Sequence, residues 1–328
     1  MSIPYIARRL GGLLFLLLVA SVTWADNSDA YHLLKKMSEV GHSLSYQGSF
    51  TYEHGSSMES FRVVRWTEEG AEFERLEHLS GPARQIVRHV PTSACSRLGG
   101  TLFQNRLARL TSGGAEIDQY YRLVLQGRER VAGRDAQVVQ IIPRDQMRYG
   151  YVVSLDRETG MLLKSLLLDE QQRMVERFQF IDFTLSPDVA SLEPEIREEL
   201  QSQASADDGD CAEGMTAGPR DWTFQWLPPG FEFSGERQVN NRTHMLMYTD
   251  GLATFSIFIQ PRGDQFLIEG RAQRGATTAY MGAVSDGRQD YRLTVVGEVP
   301  SAVAEQLAQS LRPRAADART TGQSGAAR

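Results

Sequence analysis

The 328-residue chain lacks the sequence motifs of the common enzyme classes. It contains no G-x-S-x-G, no H-E-x-x-H, no phosphate-binding loop and no C-x-x-C, and its six histidines have no metal-ligand spacing. One nucleophile–base pair is conceivable, Cys95 with His89, but no orienting acid is evident beside it. The sequence therefore predicts a protein that is not an enzyme and that holds no cofactor and no metal.

Basic residues and long apolar runs are also scarce. The chain has 35 Lys and Arg against 41 Asp and Glu, a formal charge of −6, which argues against nucleic acid as a partner. No segment approaches the roughly 20 apolar residues that a membrane helix needs. With 41% hydrophobic and 9% aromatic residues, the composition is that of a globular protein.

The N-terminus has the pattern of an export signal. Arg8 and Arg9 precede an apolar run over residues 10–20, and small residues lead to a cleavage site after about Ala25. Cleavage there removes two arginines and no acids, so the formal charge becomes about −8. We therefore expect an exported, soluble mature protein of about 300 residues, and that length favours two domains.

Cysteine is nearly absent, with Cys95 and Cys211 alone. In an oxidising compartment an even pair favours one disulfide, which would close a long loop and stabilise the fold by about 4–5 kcal/mol in the chain-entropy model. The sequence does not say whether the two residues approach each other, so the bonded and unbonded alternatives stay open.

The first half of the chain has the pattern of an antiparallel sheet with few helices. Residues 28–44 predict one amphipathic helix, and nine short segments with strand character follow between Tyr46 and Phe183. Because no long helices separate these segments, we expect a curved antiparallel sheet with one or a few helices against its concave face.

An acidic segment separates this region from a second one. Nine acids and one base lie between Asp188 and Glu213, which is typical of a solvated linker. Beyond it, residues 221–231 read DWTFQWLPPGF, in which Trp222, Phe224 and Trp226 share one face of an extended chain. Two hairpins and a helix over 301–311 follow, so a smaller α+β domain of about ninety residues is predicted.

Residues 143–151 read PRDQMRYGY and place two Arg, an Asp and two Tyr between two strands. One interpretation is a charged loop stabilised by an Arg–Asp pair. The other is a recognition patch, since Arg and Tyr are favoured at protein interfaces.

Seven blocks in order along residues 26–313 resemble the RseB/MucB family of periplasmic regulators of the envelope-stress sigma factor. The blocks are residues 46–50 (YQGSF), 127–134 (GRERVAGR), 143–151, 163–168 (LKSLLL), 226–231 (WLPPGF), 248–256 (YTDGLATFS) and 295–300 (VVGEVP). No single block is specific to the family, but seven blocks in the same order along the chain are.

The resemblance implies an α+β protein whose N-terminal domain is a curved, half-open antiparallel sheet wrapped over helices, as in the LolA/LppX lipoprotein carriers. It also implies a smaller C-terminal domain that binds the periplasmic part of a membrane-spanning anti-sigma factor of the RseA or MucA type. Binding would protect that factor from proteolysis, and lipid or lipopolysaccharide fragments would release it. A periplasmic lipid or lipoprotein carrier is the alternative, and homo-oligomerisation is left open.

The implied organisation is a signal peptide (1–25), a lipid-sensing domain (26–186), an acidic linker (187–220), an anti-sigma-factor-binding domain (221–313) and a disordered tail (314–328). Strand aromatics and aliphatics should line the apolar cavity of the first domain, although each is also explained by core packing. The predicted cavity residues are Phe50, Tyr52, Phe61, Trp66 and Leu123, and the predicted partner contacts are Arg144, Arg148, Tyr149, Trp226 and Phe231.

Overall fold

The computed structural model describes residues 27–68, 71–90, 117–187, 221–240, 242–262 and 269–314. Three helices lie in these ranges: α1 (Asn27–Ser43), α2 (Ile117–Tyr120) and α3 (Ser301–Ser310). None of the described helices is long and apolar enough to cross a membrane. The described residues also contain no group of three or more His, Cys, Asp and Glu side chains that could hold a metal ion.

The first unit is a nine-stranded antiparallel sheet. Its strands lie in the order β4-β3-β2-β1-β9-β8-β7-β6-β5, so β4 and β5 form the edges of an open sheet within the described residues. The strands are β1 (Tyr46–His54), β2 (Ser57–Glu68), β3 (Ala71–His78), β4 (Gln85–Val90), β5 (Tyr121–Val131), β6 (Arg134–Pro143), β7 (Gly150–Asp156), β8 (Leu162–Leu168) and β9 (Met174–Leu185).

The second unit is a six-stranded antiparallel sheet, ordered β11-β12-β13-β16-β15-β14, with a separate β10–β17 pair. Its strands are β10 (Trp222–Phe224), β11 (Glu232–Asn240), β12 (Thr243–Thr249), β13 (Thr254–Pro261), β14 (Gly270–Arg274), β15 (Thr277–Ser285), β16 (Asp290–Gly297) and β17 (Leu311–Pro313). The predicted α+β class, with two open antiparallel sheets and few helices, is confirmed.

Residue alternation puts the main apolar cluster of the first sheet on one face, because successive residues of a strand point to opposite faces. Phe50 lies between Phe61 of β2 and Phe180 of β9 in the strand register. Its ring centroid lies 5.1 Å from that of Phe61 and 4.9 Å from that of Phe178. Leu34 and Met37 of α1 belong to the same buried cluster, so the helix covers this apolar face.

The second core forms between α3 and its sheet. Val303, Ala304, Leu307 and Ala308 are the buried stripe of α3, as the helical spacing predicts. The rings of Trp222, Phe224 and Trp226 all pack against this cluster. The aromatic segment is therefore mainly core, although its strand β10 ends at Phe224.

The β7–β8 turn shows how this fold depends on pH. Asp156 is buried and accepts two hydrogen bonds from Arg134, at 2.8 and 2.9 Å, and two from Thr159. Burial alone would raise the pKa of Asp156, but the bonds from Arg134 and Thr159 outweigh it, and the net pKa lies below the usual value.

A lowered folded-state pKa stabilises the fold above the unfolded pKa of about 4 and loses that effect as the pH falls through the folded pKa. We expect Asp156→Asn to reduce the free energy of unfolding at pH 7 by about 1–3 kcal/mol. The difference from wild type should shrink below about pH 4. Urea denaturation at pH 7 and pH 3 measures both, with Asp135→Asn on an exposed carboxylate as the control; a difference that does not change with pH would contradict the account.

Candidate functional site

One end of the first sheet meets the second unit, and we call this contact the junction. Antiparallel order places the end of β1, the start of β9, the β6–β7 loop and the start of β5 at the same end of the sheet. The second unit contributes the turn before β11, the β12–β13 turn, the β14–β15 turn and the segment after β16.

Arg148, in the β6–β7 loop, is the centre of the junction. Its side chain is 0% exposed, as is that of Asp250 in the β12–β13 turn. Arg148 Nη1 donates to Asp250 Oδ2 at 2.6 Å, and Nη2 donates to the Pro229 carbonyl oxygen at 2.5 Å. Arg148 Nε donates to Asp145 Oδ1 at 3.1 Å. One guanidinium therefore binds two sites of the second unit and one of its own loop.

Aromatic rings surround the same guanidinium. Its Cζ lies 5.0 Å from the ring centroid of Tyr120 and 5.4 Å from the ring centroids of Tyr121 and Phe231. These distances are within the range of cation–π attraction, which strengthens when the cation is removed from water. The first unit supplies two of the rings and the second supplies Phe231, so this contact also joins the units.

The Asp250 carboxylate is almost saturated with donors. Oδ2 accepts from Arg148 and from the Tyr121 hydroxyl at 2.9 Å, and Oδ1 accepts from the backbone N–H groups of Leu252 and Ala253. Burial raises the pKa of Asp250, and these donors oppose the rise. Burial, followed by the Asp250 charge, raises the pKa of Tyr121 well above 10, so its hydroxyl stays a donor.

For Arg148, burial by itself lowers the pKa, but the facing Tyr121, Asp250 and Asp145 outweigh it and the net shift is upward. The arginine therefore remains charged inside the junction. A buried charge of this kind is tolerated only while its partners are present.

A second set of contacts joins β1, β2 and β9 of the first unit to β14 and the β14–β15 turn of the second unit. Glu176 Oε1 accepts from the Ala276 backbone N–H at 2.8 Å. Arg274 Nη2 lies 3.4 Å from Glu59 Oε1 and 3.3 Å from His54 Nε2. Within this set, Glu176 and Ala276 are buried. The Arg274 side chain is 75% exposed, and exposed ion pairs contribute little stability.

The junction also has an apolar part that joins the two cores. Leu252 and Ala276 belong to the second unit, yet both pack into the core cluster of the first sheet. In the opposite direction, Met147 packs against the core of the second unit. The second unit therefore covers one end of the apolar face that α1 and the sheet enclose.

The predicted partner contacts lie in three different environments. Arg148, Tyr149 and Phe231 are buried at the junction, where Tyr149 Oη donates to the Val299 carbonyl oxygen at 3.3 Å and burial raises its pKa to about 12. These three side chains are buried between the two units, and their role as partner contacts stays a prediction. Arg144 is exposed, and its Nε donates to the Asp118 carbonyl oxygen. Trp226 packs against the second core.

Four of the predicted cavity residues share one environment. Phe50, Phe61 and Leu123 are buried in the first core, and Tyr52 packs against it partly buried. Their role as ligand contacts stays a prediction. Cys95 and Cys211 lie outside the described residues, so the disulfide also stays a prediction.

Trp66 requires a correction. The unbroken register of β2 with β3 puts Arg65 on the face of Phe61, and therefore Trp66 on the opposite face. There it stacks on Phe73 with ring centroids 5.4 Å apart. The sequence did not distinguish the two faces, because β2 has apolar residues on both faces of the sheet.

Sequence reasoning missed the second-unit half of the junction. The dipeptide Asp250-Gly251 by itself predicts only a hairpin turn, and the structure has that turn between β12 and β13, with Gly251 at a φ of +95°. The buried role of Asp250 depends on a residue 102 positions away. The loop with two arginines is the sequence signal for this pairing, because a buried arginine requires a carboxylate partner elsewhere in the chain.

Comparison with known proteins identifies relatives of both units. Residues 29–203 match the family model of the MucB/RseB N-terminal domain, and residues 216–312 match that of the MucB/RseB C-terminal domain. The chain is 35% identical over 316 residues to the sigma factor AlgU regulatory protein MucB of Pseudomonas aeruginosa, covering 93% of this chain and 97% of the relative. It is 28% identical to the sigma-E factor regulatory protein RseB of Escherichia coli K12, covering 85% and 89%.

Solved structures give the same result. A crystal structure of MucB in complex with MucA(peri) has 33% sequence identity and a TM-score of 0.66, covering 89% of this chain and 100% of that one. The crystal structure of MucB alone has 32% identity and a TM-score of 0.59, with coverage of 88% and 98%.

Proposed function

The chain belongs to the MucB/RseB family, and from that premise we propose that it regulates an envelope-stress sigma factor of the sigma-E or AlgU type. It does so by binding the periplasmic part of a membrane-spanning anti-sigma factor of the MucA or RseA type. The observation that carries the proposal is the similarity over both units to MucB in its complex with MucA(peri). The export signal in residues 1–25 would bring the mature chain to the compartment where that segment lies.

Binding of this kind explains regulation without catalysis. An anti-sigma segment held against a folded protein is withheld from a protease, because a protease needs an extended, accessible chain. The regulator then acts by occupancy, and its effect follows the fraction of anti-sigma factor bound. We propose that this protection keeps the sigma factor inactive until the complex dissociates.

Lipid or lipopolysaccharide fragments are the proposed signal for release. An amphiphile can shift the equilibrium only by preferring the partner-free form, since equal affinity for both forms shifts nothing. The core cluster that contains Phe50 and Leu123 also includes Leu252 and Ala276 of the second unit. An amphiphile inserted at this end of the sheet would compete with those two side chains and favour separation of the units.

The direct test is co-purification of the mature chain with the periplasmic part of its own organism's anti-sigma factor, followed by mapping of crosslinks. We expect a stable complex with crosslinks confined to a continuous surface. Failure of the folded protein to retain the segment in size-exclusion chromatography would reject the proposal.

Protection from proteolysis gives a second expected result. Saturating mature chain should slow cleavage of the isolated anti-sigma segment in proportion to the fraction bound, so that at 99% occupancy the rate falls about a hundredfold. Quenched time points resolved by mass spectrometry measure the rate. An unrelated exported protein at equal concentration is the control. Unchanged cleavage at measured saturation would show that binding does not protect.

A lipid carrier is the second candidate, favoured by the open sheet with one apolar face. A carrier of this kind does not require the second unit, to which residues 221–313 are devoted. Net transfer of labelled lipid between vesicles, with no retention of the anti-sigma segment, would favour carriage over regulation.

A further inference from the structure

We infer that Arg148 and Asp250 are positioning residues for partner binding: they hold the two units in one arrangement, and that arrangement is the one that binds the anti-sigma segment. The inference rests on the proposed function for the identity of the partner. The inferred role of the pair in docking rests on the geometry of the junction alone.

The first step is that Arg148 and Asp250 form a fully buried ion pair between the units. Both side chains are 0% exposed, and Arg148 also reaches the Pro229 carbonyl oxygen of the second unit. Removing one member of a buried pair leaves the other charge desolvated and unpaired. Separation of the units returns that charge to water, so a single substitution shifts the equilibrium towards the undocked form.

The second step is that undocking does not require either unit to unfold. Each unit has its own sheet and its own core cluster. Leu252 and Ala276 are the second-unit residues buried in the first core cluster. The arrangement of the units can therefore change while both sheets persist.

The third step links docking to affinity. If only docked molecules bind the partner, the apparent affinity equals the intrinsic affinity multiplied by the docked fraction. A protein already held in the binding arrangement avoids the ordering cost that a loosely joined one meets on binding. The pair then changes partner affinity without touching the partner.

The test uses the mature full-length chain with Arg148→Lys and, separately, Asp250→Asn. Lysine keeps the charge but loses the planar fork that reaches Asp250 and Pro229 together. Asparagine keeps the shape but replaces one oxygen by a donor that faces the Arg148 and Tyr121 donors. Arg157→Ala is the matched control, because Arg157 pairs with the exposed Asp135 inside the first unit.

Hydrogen exchange measures docking without the partner. We expect faster exchange in residues 144–149 and 249–253 of both variants and unchanged exchange in β1, β9, β13 and β16. Titration with the anti-sigma segment should then give an affinity about tenfold weaker, corresponding to a docked fraction of about one tenth. The control should leave exchange and affinity unchanged.

An engineered disulfide at the second set of contacts tests whether locking the two units together restores partner affinity. A Cβ built on Gly275 lies 3.0 Å from His54 Cβ and 2.5 Å from Glu176 Oε1, at a backbone φ of +58°. A shift of about half an ångström reaches the 3.5–4.5 Å separation of a disulfide, provided that the Glu176 side chain also moves aside. His54→Cys with Gly275→Cys, in a chain with Cys95→Ser and Cys211→Ser that itself binds normally, should lock the units. With the disulfide oxidised, the affinity of the Arg148→Lys variant for the anti-sigma segment should lie within about twofold of that of the same disulfide-bonded chain with Arg148 intact.

Each result that differs from these expectations rejects one step of the inference. Unchanged exchange at the junction would show that the pair does not hold the units together. Faster exchange with unchanged affinity would show that docking is not needed for binding. Loss of affinity that the disulfide does not restore would mean that Arg148 contacts the partner directly. Absence of binding by the wild-type chain would reject the proposed function and, with it, the partner-binding role of the pair, while the exchange data would still test docking.

Discussion

Phe50→Ala is expected to lower the free energy of unfolding of the first unit by about 3–5 kcal/mol. The Phe50 ring is 3% exposed and contacts Phe61, Phe178 and Phe180. Deleting it removes the transfer free energy of the ring and leaves a cavity at the centre of the sheet. Hydrogen exchange of the β1 and β9 amides measures this loss separately from the second unit.

Met58→Ala is the matched control for this prediction. Met58 lies in the neighbouring strand β2 but is 64% exposed, so its truncation should change stability by less than about 0.5 kcal/mol. The comparison of the two variants also decides whether Phe50 is a packed core residue or lines a ligand cavity. A loss below about 1 kcal/mol would mean that the ring borders open space instead of a packed core, as a ligand-lined cavity requires.

Gly230→Ala is expected to separate the units and to destabilise the docked protein by about 1–3 kcal/mol. Gly230 has a φ of +83°, and a Cβ there would lie 2.4 Å from Cε2 of Tyr120, the ring that stacks on Arg148. The added methyl therefore pushes on the aromatic wall of the junction. Chemical denaturation measures the loss of stability, and hydrogen exchange in residues 144–149 measures the separation.

Gly287→Ala separates backbone strain from the clash. Gly287 has nearly the same φ, +81°, but nothing lies within 4 Å of a Cβ built there. Both substitutions place alanine in the left-handed region, which destabilises by about 1 kcal/mol. The excess loss in Gly230→Ala is then the contribution of the junction. Equal losses and unchanged junction exchange in the two variants would contradict the structure of this turn.

Much of the fold follows from local sequence. The strand pattern from Tyr46 to Phe183 predicts the first sheet and the apolar stripe predicts α3, because alternation and helical spacing are local properties. The face of Trp66 was not predictable in the same way. Phe61 and Val63 lie on one face of β2 and Val64 and Trp66 on the other, so the apolar pattern fits either phase.

The junction was the part that local reasoning could not assemble. The loop with Arg148 and Tyr149 is conspicuous in the sequence, and its residue types suggested an interface. That interface is with the chain's own second unit, and Asp250 and Pro229 complete it from turns that sequence interprets only as turns. Long-range ion pairs of this kind leave no periodic signal, so only the folded arrangement identifies them.

The most direct measurement of the central claim is a calorimetric titration of the mature chain with the periplasmic segment of its anti-sigma factor. The account predicts saturable binding at a fixed stoichiometry, weakened in Arg148→Lys and restored when the units are locked by the disulfide. A folded wild-type chain that produces no saturable signal at any concentration of the segment would contradict it.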